Sequence, residues 1–198
     1  MYIHLDHITK SYGALSVLDQ VSLTLKQDIC YCLMSPSGSG KTTLLRILMG
    51  LEQPDSGLIT AECHEGSTPF HSLRISAVFQ ENRLCESFSP MENVAMVLGN
   101  CQKDIDLKKE LLKLLPEECL TRPVSTLSGG MKRRVAILRA MLAPSDILLL
   151  DEPFTGLDEG TKQEVIRYIL DRRAGRFLLV TTHQEEDALL LNGQIIRL

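Results

Sequence analysis

Ile29-Cys30-Tyr31-Cys32-Leu33-Met34 runs directly into Ser35-Pro36-Ser37-Gly38-Ser39-Gly40-Lys41-Thr42-Thr43. Leu44, Leu45, Ile47 and Leu48 follow at helical spacing, up to Gly50. A buried strand, a glycine-rich loop and a helix, in that order, form the context in which backbone amides and a helix N-terminus cradle phosphate. Gly38 and Gly40 let the chain turn its N–H groups inward. Lys41 is placed to reach the outer phosphates, and the Thr42 hydroxyl to bind Mg2+. Ser35 stands where such a loop usually opens on glycine. If that position needs a positive φ, serine costs about 1 kcal/mol.

Working outward, Val21, Leu23 and Leu25 alternate with Ser22, Thr24 and Lys26 and predict a half-buried strand. Residues 74–79 predict another strand, ending at Gln80. From about Asn82 to Ala143 the pattern is helical, with an amphipathic helix over Asp104–Leu115 that Pro116 ends. Residues 146–150, 177–181 and 194–198 read as strands, and 158–173 and 185–191 as helices. Strands alternating with helices predict a mainly parallel α/β core, with the helical stretch 82–143 inserted as a lobe. One domain over 1–198 is the expectation for this length, burying roughly 70% of the unfolded chain's surface.

Composition narrows the classes. The chain is 44% hydrophobic and 23% charged, with a net charge of −4. An acidic balance argues against nucleic acid as the main partner. No apolar stretch reaches the ~18 residues of a membrane span, and Met1-Tyr2-Ile3-His4-Leu5-Asp6 lacks the pattern of a signal peptide. A cytoplasmic location is therefore expected, with any membrane role needing a partner. The six cysteines, Cys30, Cys32, Cys63, Cys85, Cys101 and Cys119, show no zinc-type spacing. Cys30 and Cys32 read as small buried hydrophobes on one strand face.

Chemistry-bearing residues gather at strand ends. Asp151 and Glu152 close the apolar run Ile147-Leu148-Leu149-Leu150, and ligands of open α/β sheets sit beyond the carboxyl ends of strands. Asp151 suits Mg2+, and Glu152 suits taking a proton from an attacking water. His183 follows Val180-Thr181-Thr182 and is placed for a γ-phosphate or the water. Gln80 ends its strand and can complete a Mg2+ shell. Tyr12 can stack on a base. Ser128-Gly129-Gly130 opens a helical pattern from Met131 to Met141. It reads equally as an ordinary capped helix or as a second phosphate-binding surface. Lys132-Arg133-Arg134 reads as a solvated helix face, or as arginines orienting the helix by pairing with acids.

These residues, in this order, resemble an ATP-binding cassette (ABC) ATPase over nearly the whole chain. Tyr12 is similar to the family's adenine-stacking aromatic, Ser35 to Thr43 to the Walker A loop and Gln80 to the Q-loop glutamine. Leu127 to Met131 resembles the LSGGQ signature, Ile147 to Glu152 Walker B with its catalytic glutamate, Leu157-Asp158 the D-loop, and His183 the switch histidine. The resemblance implies a P-loop NTPase fold: a RecA-like, mainly parallel core, an antiparallel β part near the N-terminus and a helical subdomain. It implies ATP and Mg2+, catalysis by Glu152 and His183, and metal binding by Thr42, Gln80 and Asp151. Nucleotide contacts fall to Tyr12, Ser35, Pro36, Ser37, Gly38, Ser39, Gly40, Lys41, Thr42, Thr43 and Gln80, with Ser128, Gly129 and Gly130 supplied across a head-to-tail dimer. Ser128 and Asp158 then lie at the dimer interface. Departures from the family pattern are Ser35 for glycine, Met131 for glutamine and Arg133 where glutamine is common.

Glu81-Asn82-Arg83-Leu84 followed by Met91-Glu92-Asn93-Val94 resembles the corresponding segment of importers for nitrate, sulfonates and related small anions. This implies permease subunits docked near Gln80 and residues 82–93, a second ABC subunit and a solute-binding protein. It also implies a peripheral place on the cytoplasmic membrane face. A soluble ABC ATPase, such as one serving iron–sulfur cluster assembly, would share the same motifs.

Overall fold

The structure is a computed structural model that describes residues 1–36, 38–63, 66–99 and 105–198. Ser37, Cys101 and Asp104, all named above, lie outside the described residues. The chain opens with β1 (Tyr2–Tyr12), β2 (Leu15–Lys26), β3 (Cys30–Leu33), α1 (Lys41–Leu48), β4 (Ser56–Cys63), β5 (Gly66–Pro69) and β6 (Ile75–Val78). It continues with α2 (Pro90–Leu98), α3 (Leu107–Leu111), α4 (Gly129–Leu142) and β7 (Ile147–Asp151). It closes with α5 (Glu159–Arg172), β8 (Phe177–Thr181), α6 (Glu185–Leu190) and β9 (Gln194–Ile196).

The strands divide into a four-stranded antiparallel sheet, β2-β1-β4-β5, and a five-stranded parallel sheet, β6-β7-β8-β3-β9. The parallel sheet explains the unbroken apolar runs, because side chains on both of its faces are covered. Ile147 and Leu149 join Tyr31, Leu33, Phe177 and Leu179 in one core with α1 and the antiparallel sheet. Their neighbours Leu148 and Leu150 join Cys30, Cys32, Leu178 and Val180 in a second core with the helices. Each such buried leucine contributes about 1.5–3 kcal/mol. The chain therefore places its strand ends, and the chemistry on them, on a rigid two-sided slab.

Three strands have no counterpart in the pattern reading. In β1 the alternation set by Ile3 and Leu5 breaks before Ile8, where the pairing register with β2 shifts and His7 adopts φ 51°. A bulge of this kind moves side chains to the other face and hides the period. β4 carries the same irregularity, with Gly57 at φ 98° and its backbone packed against His7, while β5 is four residues, Gly-Ser-Thr-Pro, with no apolar alternation to mark it. The strand predicted at 21–25 is the end of the longer β2.

The helical stretch is observed between β6 and β7, but the helix expected over Asp104–Leu115 is a correction. α3 spans Leu107–Leu111, opened by Asp106, whose carboxylate accepts from Lys109 N–H at 3.1 Å. Beyond it the backbone tightens, with Lys113 N–H bonded to Glu110 C=O at 3.2 Å and Leu114 N–H to Leu111 C=O at 3.1 Å. Leu114 and Leu115 are still buried. The apolar spacing marked the inward side chains, while a turn met the spacing as well as a helix would.

The segment after β6 is shaped by one side chain. Asn93, fully buried on α2, donates to the carbonyls of Cys85, Phe88 and Ser89 at 3.1–3.3 Å and accepts from Cys85 N–H at 2.9 Å. A capping box closes the same corner: Ser89 Oγ accepts from Glu92 N–H at 3.3 Å, and Glu92 Oε2 accepts from Ser89 N–H at 2.8 Å. Asn93→Ala strands this set of loop groups together. We expect it to lower the unfolding free energy by about 2–3 kcal/mol in urea denaturation, whereas a loss under 1 kcal/mol would show that the loop holds its own shape.

Candidate active site

Four loops converge beyond the carboxyl ends of the parallel strands. β3 leads to the phosphate loop, β6 to Gln80, β7 to Asp151 and Glu152, and β8 to His183. A cavity of about 260 Å3 is lined by Val17, Gly38, Gly40, Lys41, Thr42, Thr43, Gln80, Glu152 and His183. A smaller one of about 170 Å3 adjoins it through Thr42 and Gln80 and reaches Asp151.

The phosphate loop is built by its glycines. Gly38 and Gly40 lie at φ 84° and 91°. A Cβ on Gly40 would sit 2.7 Å from Val17 C=O and from Leu18 Cδ2, so glycine is required there. Ser35, in contrast, is not among the positive-φ residues. The cost raised for serine does not arise, because its backbone needs no left-handed turn. Its hydroxyl bonds to Met34 C=O and accepts from Leu198 N–H at 2.9 Å. Lys41 is buried and its ammonium lies 2.6 Å from Ser35 C=O and 3.1 Å from Pro36 C=O. The loop's own carbonyls thus hold the lysine where phosphate oxygens could replace them.

Thr181 organises the two acids. Its hydroxyl donates to Asp151 Oδ1 at 2.6 Å and accepts from Glu152 N–H at 2.9 Å. Glu152 adopts φ 46°, a strained setting for a non-glycine residue and one often found at functional positions. Its Oε1 lies 2.8 Å from His183 Nε2. With Glu152 ionised, that contact places a proton on Nε2. Asp151, Thr42 and Gln80 offer a carboxylate, a hydroxyl and an amide oxygen around the smaller cavity, a donor set that fits Mg2+.

Tyr12, Ser128, Gly129 and Asp158 do not line these two cavities. Tyr12 is 47% exposed at the end of β1, with Lys10 Nζ 5.5 Å from its ring centre. Ser128 caps α4 by accepting from Met131 N–H at 3.3 Å. Ser128 and Gly129 are exposed, and Gly130 abuts Gly156 and Leu157. Asp158 caps α5 through Thr161 N–H at 3.0 Å, and this bond, with that from the Thr161 hydroxyl, holds its carboxyl below the usual range.

The basic run is the clearest correction. Arg133 is buried, 5% exposed, and donates to Phe79 C=O at 2.7 Å and Gln80 C=O at 2.6 Å. Arg134 donates to Leu114 C=O at 2.6 Å, and only Lys132 pairs with an acid, Glu86, at 2.8 Å. The two guanidinium groups donate to backbone carbonyls and to no carboxylate, Arg133 through two nitrogens and Arg134 through one, with Arg134 Nε buried without a hydrogen bond among the described residues. Burial lowers the Arg133 pKa, with Asp151 and Glu152 opposing that shift. Sequence reasoning noted Arg133 as unusual but could not see that it grips the carbonyl of Gln80.

With this geometry in view, the comparisons with known proteins are decisive. A model of the ABC transporter family matches residues 18–155. The chain belongs to the ABC transporter ATP-binding family. The cassette is 37% identical to a probable sulfate/thiosulfate import ATP-binding protein of Chlorella vulgaris, covering 100% of this chain and 87% of that protein. It is 36% identical to the lipoprotein-releasing system ATP-binding protein LolD of Bacteroides fragilis, covering 92% and 91%. It is 37% identical to the spermidine/putrescine import ATP-binding protein PotA of Clostridioides difficile, covering 98% of this chain but 58% of that protein. The dimeric post-hydrolysis structure of the cassette MJ0796 bound to ADP and Pi superposes with a TM-score of 0.83 at 27% identity, covering 99% and 94%. The fold is thus that of an ABC ATPase, a P-loop NTPase with a parallel core, an antiparallel sheet and a helical insertion. Among the described residues, no helix of the cassette is long and apolar enough to cross a membrane.

Gly40→Ala forces a side chain into a left-handed position, at about 1–2 kcal/mol, and against Val17. We expect affinity for a fluorescent ATP analogue to fall about tenfold or more, while Ser35→Gly shifts it less than about threefold. The opposite ranking would mean that the serine, and not Gly40, sets the loop's shape.

Proposed function

We propose that this cassette binds ATP with Mg2+ and hydrolyses it, paired head to tail with a second cassette, to drive a membrane permease that imports a small inorganic or organic anion. The observation that carries the hydrolytic reading is the 2.8 Å contact between Glu152 and His183, in one cavity with Lys41, Thr42 and Gln80. A carboxylate poised beside a phosphate cradle has the placement of a general base.

Each residue then has a physical task. Lys41 exchanges the carbonyls of Ser35 and Pro36 for outer phosphate oxygens, while amides of the loop and the N-terminus of α1 face the anion. Thr42, Gln80 and Asp151 would hold Mg2+, which when bound neutralises charge on the phosphates. Glu152 takes the proton of a water as it attacks the γ-phosphorus, and the bond to the β–γ bridging oxygen breaks. His183 keeps the Glu152 carboxylate in place through Nε2–H and faces the same cavity. Tyr12, exposed at the end of β1, is offered to the base.

The second cassette is supported by the exposed, glycine-opened N-terminus of α4. Ser128 and Gly129 are exposed and do not line the cavity of the chain's own loop, as an anion-binding surface for another copy would. Asp158, beside it in the chain's D-loop region, belongs to the same face. The permease is supported by a largely apolar cavity of about 310 Å3 next to Gln80, lined by Met49, Leu51, Phe79, Val97, Arg139 and Ala143. Together with residues 82–93, which follow Gln80 in the chain, this groove suits an apolar coupling helix, which would hold the cassette at the cytoplasmic membrane face. Anion import rests on the likeness of segment 81–94 to importers of small anions and on the sulfate/thiosulfate relative. A solute-binding protein belongs to such a system.

Glu152→Gln keeps the shape and removes the base. We expect ATP affinity within about threefold of wild type and turnover lower by about 10²-fold or more, read by phosphate release. Wild-type turnover would remove Glu152 from the mechanism. Tagged Glu152→Gln protein with Mg-ATP should also retain a polytopic permease from native membranes. Retention of soluble proteins alone would favour a soluble ABC ATPase and leave the nucleotide chemistry standing.

A further inference from the structure

Behind His183 lies a buried charge network that nucleotide binding does not use. The Lys162 side chain, on α5, is 6% exposed, and that of Asp187, on α6, is 4% exposed. Lys162 Nζ lies 3.2 Å from Asp187 Oδ1, 2.9 Å from Gln184 Oε1 and 2.9 Å from Glu159 Oε2. Thr182 donates its hydroxyl to Asp187 Oδ2, and Gln184 N–H donates back to Thr182 Oγ1 at 3.1 Å. The residues on both sides of His183 are therefore tied to one ammonium, Gln184 directly and Thr182 through Asp187. The same side chains line a cavity of about 390 Å3 with Glu152, Leu157 and His183.

We propose that Lys162 and Asp187 are positioning residues, a strut that holds His183 against Glu152 from the helix that follows the D-loop region. Stability alone is a poor reason for such a pair. Two charges taken out of water forfeit solvation, and well-packed apolar residues in their place are often as stable or more so. What apolar side chains cannot do is hold the Gln184 amide and the Thr182 hydroxyl in one orientation. The Lys162 ammonium donates to one amide, that of Gln184 next to the histidine, and stands within ion-pair range of two carboxylates, Glu159 on α5 itself and Asp187 on α6, whose buried Oδ1 has no hydrogen bond among the described residues. The strut crosses from α5, capped by Asp158, to the strand end that carries His183. A shift of α5 is thereby transmitted to the Glu152–His183 contact. The catalytic part of the proposal rests on the hydrolysis reading above; the positioning part does not.

The test separates positioning from folding. Lys162→Met alone leaves Asp187 buried without its cation and should lower the thermal midpoint. The double variant Lys162→Met/Asp187→Leu should regain that midpoint. It should still turn over about tenfold more slowly than wild type, with KM for ATP within twofold, and Lys162→Arg should restore most of the rate. Gln184→Leu keeps the ion pair and cuts only its link to the residue beside His183. It should lower kcat at an unchanged midpoint, which keeps the test open if the double variant folds poorly. Wild-type kcat in the double variant or in Gln184→Leu overturns the proposal. NMR of the His183 ring, assigned against His183→Ala, reads the position without hydrolysis. Shifted ring signals in both variants are expected, and unmoved signals overturn the strut even if the protein proves not to hydrolyse ATP.

Discussion

The hydroxyl of Thr181 joins β7 to β8 at the point where both strands end. It donates to Asp151 and accepts from the backbone of Glu152, so a single buried oxygen sets one acid toward the proposed metal and the next toward His183. It can do this because the two strands are parallel and in register, Asp151 opposite Thr181. That register in turn rests on apolar side chains packed on both faces of the sheet. A slip by one residue would exchange the two faces and carry both acids away. The chemistry of the site is thus a consequence of how the sheet is buried.

Arginines, Arg133 buried and Arg134, Arg139 and Arg176 half-buried, join the parts of the fold, and they do so through carbonyls. Arg133 carries α4 to the end of β6, Arg134 carries it to the turn after α3, and Arg139 donates to Arg83 C=O at 2.9 Å. Arg176 reaches Met141 C=O at 2.9 Å and Arg172 C=O at 2.8 Å, joining the end of α4 to the corner before β8. Burial lowers the pKa of Arg133, Arg139 and Arg176. Guanidinium starts so far above neutrality that the charge survives, and each group donates to backbone oxygens. In consequence Gln80, which lines the cavity with Lys41 and Glu152, is gripped by the helix whose N-terminus is exposed. The two proposed phosphate surfaces are mechanically connected within one chain.

Much of the parallel core was legible because its signals are local. Residues 177–181 form a strand where the apolar run predicts one, and Asp158 caps α5 where the polar residue precedes the periodic pattern. β1 and β4 were not legible, since the bulge at His7 and the glycine at 57 interrupt the period that would reveal them, and β5, Gly-Ser-Thr-Pro, has no apolar alternation at all. The helix expected through Leu115 ended early, because Leu114 and Leu115 can face the core from a turn. At the site, the placement of Lys41, Thr42, Gln80, Glu152 and His183 in one cavity follows from strand order, which motif order anticipates. Lys162 and Asp187 were invisible: a lysine or an aspartate on a helix carries no mark of burial.

The amino-acid sequence by itself determined where the chain can turn onto an anion and which acids end its strands. Those properties belong to glycine φ freedom, to apolar runs and to residues adjacent in the chain. Only the tertiary structure decided what the charged side chains do. Arg133 meets carbonyls 54 and 53 residues away, Thr181 meets an acid 30 residues away, and Lys162 meets Gln184 across 22. A charge in a sequence is read by default as solvated. Whether it is instead buried and bonded depends on which distant backbone or side-chain oxygens the packed sheet and helices bring within 3 Å of it.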